Sequence, residues 1–129
     1  MLTTILLLST GMVTIAQAKP NCKDIASLNQ RDLNFCAAAD AKLADAKLNQ
    51  VYRQLRAKHK ENPSEENALI SAQLAWIKFR DQNCKFAEVR FEQGSIAPLI
   101  FHKCIERVTN QRVEELERYL KGLASRDGL

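Results

Sequence analysis

Apolar residues recur at helical spacing through most of the chain, and this pattern predicts three long helices. The first covers about residues 31–59, with Asn29 as its N-cap and the acidic Asp32 three residues later. Cations fill its last turn, where the helix dipole favours them. Its apolar positions are expected to form one buried face: Phe35, Ala39, Leu43, Leu48, Val51 and Leu55.

A turn at residues 61–64 separates the first helix from the second. Ser64 is expected to cap the second helix, because Glu65 and Glu66 follow it in the first turn, where acidic side chains are favourable. One face of this helix is expected to pack against the bundle: Leu69, Ala72, Trp76, Phe79, Asn83 and Phe86.

The third helix is predicted to begin at Ser95, after the turn at residues 93–95. Pro98 then falls in the first turn, where proline is tolerated, and Gly122 ends the helix. Its buried face is expected to contain Ile100, Cys104, Val108, Leu116, Tyr119 and Leu123. Almost nothing favours strands, so the predicted fold class is all-α: an antiparallel three-helix bundle with a short N-terminal segment.

The N-terminal segment differs from the rest of the chain. Residues 2–18 contain no charge and end in Ala16-Gln17-Ala18, which is typical of a signal peptide cleaved after Ala18. A retained anchor or an internal start is the alternative. No later apolar run reaches the roughly 20 residues of a membrane span. We therefore expect a signal peptide at 1–18, one helical domain at 19–129, a periplasmic or secreted location and no stable membrane insertion after cleavage.

Four widely spaced cysteines indicate two disulfides in an oxidising compartment. Short turns make neighbouring helices antiparallel, so reflection through each turn estimates which residues lie level. This reflection sets Cys84 opposite Cys104 and leaves Cys22 to pair with Cys36. The rival pairing joins Cys36 to Cys84 and Cys22 to Cys104, because Cys36 projects within one turn of Cys84.

The same reflection brings several polar side chains level with Trp76, in the middle of the bundle. They are Asp45, Asn49, Gln73, Arg80, Thr109 and Arg112. Our interpretation is a partly buried network of ion pairs and hydrogen bonds that fixes helix register, with Arg112 stacked on Trp76. The alternative is a binding site for a ligand or partner, since buried charges mark one role or the other.

Catalytic and metal-binding patterns are not evident. His59 and His102 are expected near opposite ends of the bundle, without carboxylates at metal-ligand spacing. The adjacent carboxylates at 65–66 and 114–115 splay around their helices and do not face each other. The Ser and Asp residues lack a nucleophile-elbow context or a nearby His. We therefore expect no enzyme activity, no cofactor and no metal.

The overall charge is basic, with 19 Lys and Arg residues against 15 Asp and Glu. The cations between Arg53 and Lys60 are followed at once by acidic residues, and no basic stripe with interleaved aromatics occurs. We therefore expect ordinary solvated charge and no binding of nucleic acid.

Several motifs together carry a family resemblance. They are Asp-x-x-Leu-Asn-x-x-Tyr from Asp45 to Tyr52, Gln-x-x-Trp-x-x-x-Arg-Asp-x-x-Cys from Gln73 to Cys84, a Gly94-Ser95 turn, and Cys104 followed by Thr109-x-x-Arg112. Over about residues 22–120 the chain resembles the LprI N-terminal domain family of small exported bacterial domains. The resemblance implies a helical fold with two disulfides and, by the family's name, inhibition of lysozyme. It also adds Tyr52 and Asp81 to the candidate site.

The resulting hypothesis is an exported binding protein that inhibits lysozyme or a similar cell-wall-degrading enzyme. A polar loop inserted into the substrate cleft would achieve this, and the candidate residues are Gln93, Gly94 and Ser95. The alternative is an envelope interaction or structural module with no lysozyme target. Acidic surface patches would favour the inhibitor, whereas an apolar groove would favour a peptide or protein partner.

Overall fold

The computed structural model describes residues 17–122, and the expected signal peptide lies outside them except for its last two residues. A short 3-10 helix, Ile25–Ser27, precedes three long helices: α1 (Gln30–His59), α2 (Pro63–Val89) and α3 (Ala97–Leu120). No strand occurs between residues 17 and 122. The predicted all-α bundle is confirmed. None of these helices is long and apolar enough to cross a membrane.

The three helices run up, down and up, so α1 and α3 are parallel and α2 is antiparallel to both. α3 packs most extensively against α1 and less extensively against α2, whereas α1 and α2 touch at few points. As a result, α2 is held mainly along one side by α3. The opposite side of α2 faces solvent.

The N-terminus of α1 is capped as predicted, because the Asn29 side chain accepts a hydrogen bond from the Asp32 backbone N–H at 3.0 Å. The predicted apolar face is correct only in its C-terminal half, since Phe35 and Leu43 are 45% and 70% exposed. The buried stripe alternates steps of four and three residues: Ala37, Ala41, Ala44, Leu48, Val51 and Leu55. The predicted stripe took a five-residue step before Leu48 and so changed face.

The cap of α2 differs from the prediction. Asn62 is the N-cap, and its side chain accepts a hydrogen bond from the Glu65 backbone N–H at 3.3 Å. Pro63 occupies the first turn, where its missing N–H leaves no hydrogen bond unmade. The predicted cap at Ser64 is therefore wrong, because Ser64 already lies inside the helix.

The predicted packing face of α2 is also wrong in part. Phe79 and Phe86 are 58% and 73% exposed, while Gln73 and Cys84 are the residues that α2 buries. Leu69, Trp76 and Asn83 are half-buried, as expected for a contact face, and Ala72 is exposed. Two apolar stripes lie side by side on this helix, and periodicity alone does not say which one meets α3.

α3 begins at Ala97 without a side-chain cap, so the predicted start at Ser95 is wrong. Pro98 does lie in the first turn. The helix ends at Leu120, after which Gly122 takes the left-handed conformation with φ of 71°. The predicted face is only partly right: Tyr119 is 41% exposed and Leu123 lies outside the described residues. The buried residues are Ala97, Cys104, Ile105, Val108, Thr109, Arg112, Val113 and Leu116.

Both predicted disulfides are present, and the rival pairing is wrong. Cys22 pairs with Cys36, and Cys84 pairs with Cys104, with Cα–Cα distances of 5.6 and 5.4 Å. The first bridge fastens the N-terminal segment to α1, and the second joins α2 to α3. Both lie at the end of the bundle where the α2–α3 turn is found.

Candidate functional site

Trp76 lies between two apolar clusters that make up the core. One contains Ala41, Cys84, Cys104, Ile105 and Val108. The other contains Leu48, Val51, Leu55, Val113 and Leu116. Trp76 packs against both, and polar side chains surround its ring at this junction. We call these residues the polar layer: Asp45, Gln73, Trp76, Arg80, Asp81, Thr109, Arg112 and Glu115.

Arg80 connects all three helices within the polar layer. Its Nη1 donates to Asp45 Oδ1 on α1 at 2.6 Å and contacts Thr109 Oγ1 on α3 at 3.4 Å, while its Nε donates to Asp81 Oδ1 at 2.9 Å. The guanidinium carbon lies 5.2 Å from the centre of the Trp76 ring. Only 12% of the Arg80 side chain is exposed, so the charge is largely desolvated and depends on these partners.

Arg112 approaches the same ring from α3. Its guanidinium carbon lies 5.9 Å from the Trp76 ring centre, its Nε donates to Gln73 Oε1 at 3.1 Å, and its Nη1 meets Glu115 Oε2 at 2.5 Å. Arg112 and Gln73 are both buried. Trp76 therefore contacts two arginines, each of which is paired with at least one carboxylate.

The structure brings together most of the residues predicted from sequence, but not all of them. Asn49 is exposed and makes no side-chain hydrogen bond within residues 17–122. Tyr52 packs beside the apolar cluster that contains Leu48. Glu115 was missed, although its position three residues after Arg112 is the spacing at which helix side chains pair.

The Glu115 side chain is 40% exposed, and solvent also reaches the polar layer at the edge beside Asp45 and Asp81. A shallow depression there is lined by Asp45, Arg80 and Asp81 together with Lys42 and His102. Asp45 and Asp81 are 45% and 51% exposed, but both point their charge at Arg80. No buried side-chain nitrogen or oxygen in the described part of the chain lacks a hydrogen-bond partner. This arrangement suits a layer that fixes helix register, because its polar groups are already paired with each other.

The histidines lie outside this layer. His59 Nδ1 meets Glu65 Oε2 at 2.5 Å where α1 passes into α2, and His102 contacts the ring of Phe101 edge-on near the start of α3. Across residues 17–122, no group of three or more His, Cys, Asp or Glu side chains is arranged to hold a metal ion.

The α2–α3 turn is the second candidate site. Residues 90–96 are all exposed, and Gln93, Gly94 and Ser95 lie at their centre. The Gly94 backbone N–H donates to the Phe91 carbonyl at 2.8 Å, and the Gly94 carbonyl accepts from the Ala97 N–H at 3.2 Å. These bonds give the turn a defined shape although its side chains are solvated.

Contacts from outside the turn also hold it. The Asn34 side chain on α1 donates to the Ser95 carbonyl at 2.9 Å, and the Cys84–Cys104 disulfide closes the segment that contains the turn. A Cβ atom added at Gly94 would find its nearest neighbour, the Phe91 carbonyl oxygen, at 3.5 Å, an ordinary contact distance. The turn is thus anchored to two helices while position 94 remains open to a partner.

Comparison with known proteins gives one family and one curated relative. Residues 22–116 match the family described as "Lysozyme inhibitor LprI". The chain is also 33% identical over 128 residues to an uncharacterized protein from Rhizobium meliloti (strain 1021), a similarity that covers 91% of each chain. No solved structure shows significant similarity.

Proposed function

The chain belongs to the lysozyme inhibitor LprI family, and on that premise we propose that it is an exported protein that binds and inhibits lysozyme or a similar cell-wall-degrading enzyme. The family match covers all of the described helices except the last turn of α3 and includes both disulfides. The relative from Rhizobium meliloti is uncharacterized and so gives no information about activity. The surface that contacts the enzyme must therefore be sought in this chain's own geometry.

The observation that carries the proposal is the anchored, exposed turn at Gln93, Gly94 and Ser95. A cell-wall hydrolase binds a polar polysaccharide in a cleft, so an inhibitor that fills the cleft needs a narrow, polar projection. This turn offers an amide side chain, a hydroxyl and backbone groups, with a glycine at its centre. Because Asn34 and the Cys84–Cys104 bridge already order it, insertion would lose little conformational entropy.

The polar layer supports the proposal indirectly. Its two arginines are nearly buried and paired with carboxylates, so they are poorly placed to meet a macromolecule. Their contacts instead keep α2 and α3 in register. We propose that the layer sets the position of the turn, and that the turn makes the contact.

Charge bears on the rate of association more than on its final strength. The chain has a formal net charge of +4, and lysozymes are typically basic as well. Such a pair gains no electrostatic steering, so association near the unsteered range of about 10⁵–10⁶ M⁻¹s⁻¹ is expected. Because both proteins are positively charged, added salt should screen their repulsion and speed association modestly.

The test is lysis of a cell-wall substrate by lysozyme, titrated with oxidised protein spanning residues 19–129. A reduced and alkylated sample serves as the control, because loss of both bridges releases the turn while the sequence stays the same. Inhibition by the oxidised form alone supports the proposal. If neither form inhibits several lysozyme types at large molar excess, the proposal fails for this chain.

A second candidate function is an envelope interaction module with no lysozyme target. One specific observation favours it: α2 presents Phe79 and Phe86 to solvent, 58% and 73% exposed. Exposed apolar side chains that cluster on one face often mark a surface that binds another protein.

A further inference from the structure

The solvent side of α2 carries small and apolar residues at alternating steps of four and three. These positions, all exposed, form what we call the α2 seam: Ala68, Ala72, Ala75, Phe79, Gln82, Phe86 and Val89. This is the spacing of the a and d positions of a coiled coil. The seam lies opposite Gln73 and Cys84, the residues that α2 buries. No residue of the described chain covers it.

The seam is concave where a partner side chain would need space. A shallow groove is lined by Ala75, Lys78, Phe79, Gln82, Asn83 and Phe86. The small Ala75 beside the large Phe79 produces a hole next to a ridge. Knobs from a second helix pack into holes of this kind.

Cations border the seam on both sides. Lys78 and Lys85 follow one edge and Arg90 lies at the other. Lys78 and Arg90 make no ion pair within residues 17–122, whereas Lys85 contacts Glu88 on its own helix at 2.7 Å. An occupant with acidic side chains along its edges would complement this border.

The charges argue against a second copy of this chain. In a parallel pairing of two seams, Lys85 of one copy would lie across from Arg90 of the other. In an antiparallel pairing about the middle of the seam, near residue 79, Lys78 of one copy would lie across from Lys78 of the other. Each arrangement places like charges together, which opposes association.

A lipid surface also fits poorly. The polar Gln82 occupies the middle of the seam, where insertion would bury its amide among acyl chains. A polar residue within a seam is instead compatible with a helical partner, where it helps to set register.

We propose that the α2 seam binds an amphipathic helix of another protein, one with apolar side chains at coiled-coil spacing and acidic side chains along its edges. The centre of this surface, at Phe79 and Phe86, is distinct from the turn at residues 93–95, which adjoins the seam only at Val89 and Arg90. The proposal therefore does not depend on lysozyme inhibition, and either activity can fail without the other.

The probe is a fluorescent synthetic peptide of about three heptads, with leucine at a and d and glutamate at the flanking positions. A matched peptide carries lysine in place of glutamate. Binding to oxidised protein spanning residues 19–129 is measured by anisotropy. We expect the acidic peptide to bind at least about tenfold more tightly than the basic one.

Two variants separate the seam from general stickiness. Phe79→Ser combined with Phe86→Ser removes both exposed rings and should weaken binding of the acidic peptide about tenfold or more, whereas Leu43→Ser on exposed α1 should not. Lys78→Glu combined with Lys85→Glu should reverse the preference between the two peptides. The charge reversal keeps the test decisive if the serine variant folds poorly.

Several results would overturn the proposal. Equal binding of the two peptides would show that acidic side chains on the partner are not required. Unchanged binding to the serine variant would show that the peptide does not bind at the seam. A dimer seen by sedimentation and lost in the serine variant, without peptide binding, would assign the seam to a second copy. Binding to phosphatidylglycerol vesicles without peptide binding would assign it to a membrane.

Discussion

Arg80 on α2 donates a hydrogen bond to Asp45 on α1 at 2.6 Å and thereby joins two helices that otherwise touch at few points. The same guanidinium contacts Asp81, Thr109 and the Trp76 ring. One side chain therefore links α1, α2 and α3 at the junction of the two apolar clusters. Its removal should therefore weaken the packing of all three helices.

We predict that Arg80→Ala lowers the free energy of unfolding by about 2 kcal/mol. Asp45 and Asp81 can be rehydrated when the arginine is lost, which limits the cost, but the ring contact and the buried stem of Arg80 are lost outright. Arg80→Lys should recover only part of this, because an ammonium lacks the planar guanidinium that contacts the Trp76 ring while it bonds Asp45 and Asp81. The urea midpoint measures both effects.

The matched control is Arg53→Ala, which removes an exposed arginine on α1 that makes no ion pair within residues 17–122. The free energy of unfolding of this variant should differ from that of wild type by less than about 0.5 kcal/mol. An Arg80→Ala protein as stable as this control would show that the polar layer does not hold the helices together.

Gln73 and Arg112 form a second link within the polar layer, and we predict measurable coupling between them. Both are buried and their hydrogen bond measures 3.1 Å. Single alanine variants should each destabilise the protein, while the double variant should cost about 1 kcal/mol less than the sum. If the cost of the double variant equals the sum of the two single costs, the interaction energy is zero and the predicted coupling is contradicted.

The two disulfides should differ in their contributions to stability. They close segments of similar length, with sequence separations of 14 and 20, so the entropy terms differ little. Cys84 is fully buried and Cys104 nearly so, whereas Cys22 is exposed. We predict losses of about 4 kcal/mol for Cys84→Ala with Cys104→Ala and about 2 kcal/mol for Cys22→Ala with Cys36→Ala.

Thermal unfolding of the two double-alanine variants measures this difference directly. The reverse order, with the Cys22–Cys36 bridge contributing more, would mean that the N-terminal segment and not the α2–α3 link limits stability. Only the Cys84–Cys104 variant should also loosen the turn at residues 93–95.

Lys103 is expected to give a small, salt-sensitive contribution to stability. Hydrogen bonds to Glu106 and Asp40 raise its pKa above the ordinary value of 10.5. The folded state therefore holds this proton more tightly than the unfolded state, so the contribution is complete below pH 10.5 and is lost as pH rises through the raised pKa. Half the side chain is exposed, which limits the effect to less than about 1 kcal/mol.

Comparison of wild type with Lys103→Gln checks this prediction. The difference in urea midpoint should be present at neutral pH and low salt, should shrink in about 1 M salt because the Debye length falls to about 3 Å, and should disappear at strongly alkaline pH. A difference that persists in high salt would point to packing of the lysine stem and not to its charge.

The sequence predicted the helices, their order and the disulfide pairing, because these depend on local signals and on short turns. Asn29 followed by Asp32 marked the start of α1, and reflection through the α2–α3 turn set Cys84 level with Cys104. The start of α2 was misjudged because Asn62, Pro63 and Ser64 are all compatible with a helix start, and hydrogen bonding decided between them.

The buried faces were harder to predict, since tertiary packing selects among several apolar stripes. On α1 the small residues Ala37, Ala41 and Ala44 are buried, while the larger Phe35 and Leu43 remain exposed. On α2 the buried residues are Gln73 and the disulfide-bonded Cys84, while Phe79 and Phe86 face solvent. A prediction based on hydrophobicity selects the largest apolar residues for the core, and it therefore assigned burial to stripes that the bundle leaves exposed to solvent.

Reflection and motif each placed some candidate residues in the polar layer and some outside it. Of the residues set level with Trp76 by reflection, only Asn49 lies outside the layer, and of the two residues added by motif, Asp81 lies in it and Tyr52 does not. Arg80 and Arg112 lie beside Trp76 as expected. Asn49 and Tyr52 share a helix with Asp45, but Asn49 is exposed and Tyr52 packs beside the apolar cluster that contains Leu48. The direction of a side chain around a helix depends on the crossing of α1 and α3, which reflection does not provide.

The most direct test of the account compares inhibition of lysozyme by wild type and by Gly94→Trp, with Gly94→Ala as the steric control. The space at position 94 accepts a Cβ at 3.5 Å from the nearest atom, so Gly94→Ala should fold and inhibit like wild type. Gly94→Trp should melt at the same temperature yet inhibit at least about tenfold less, because its ring would block entry into the cleft. Equal inhibition by wild type and Gly94→Trp, or none by wild type, would contradict the account.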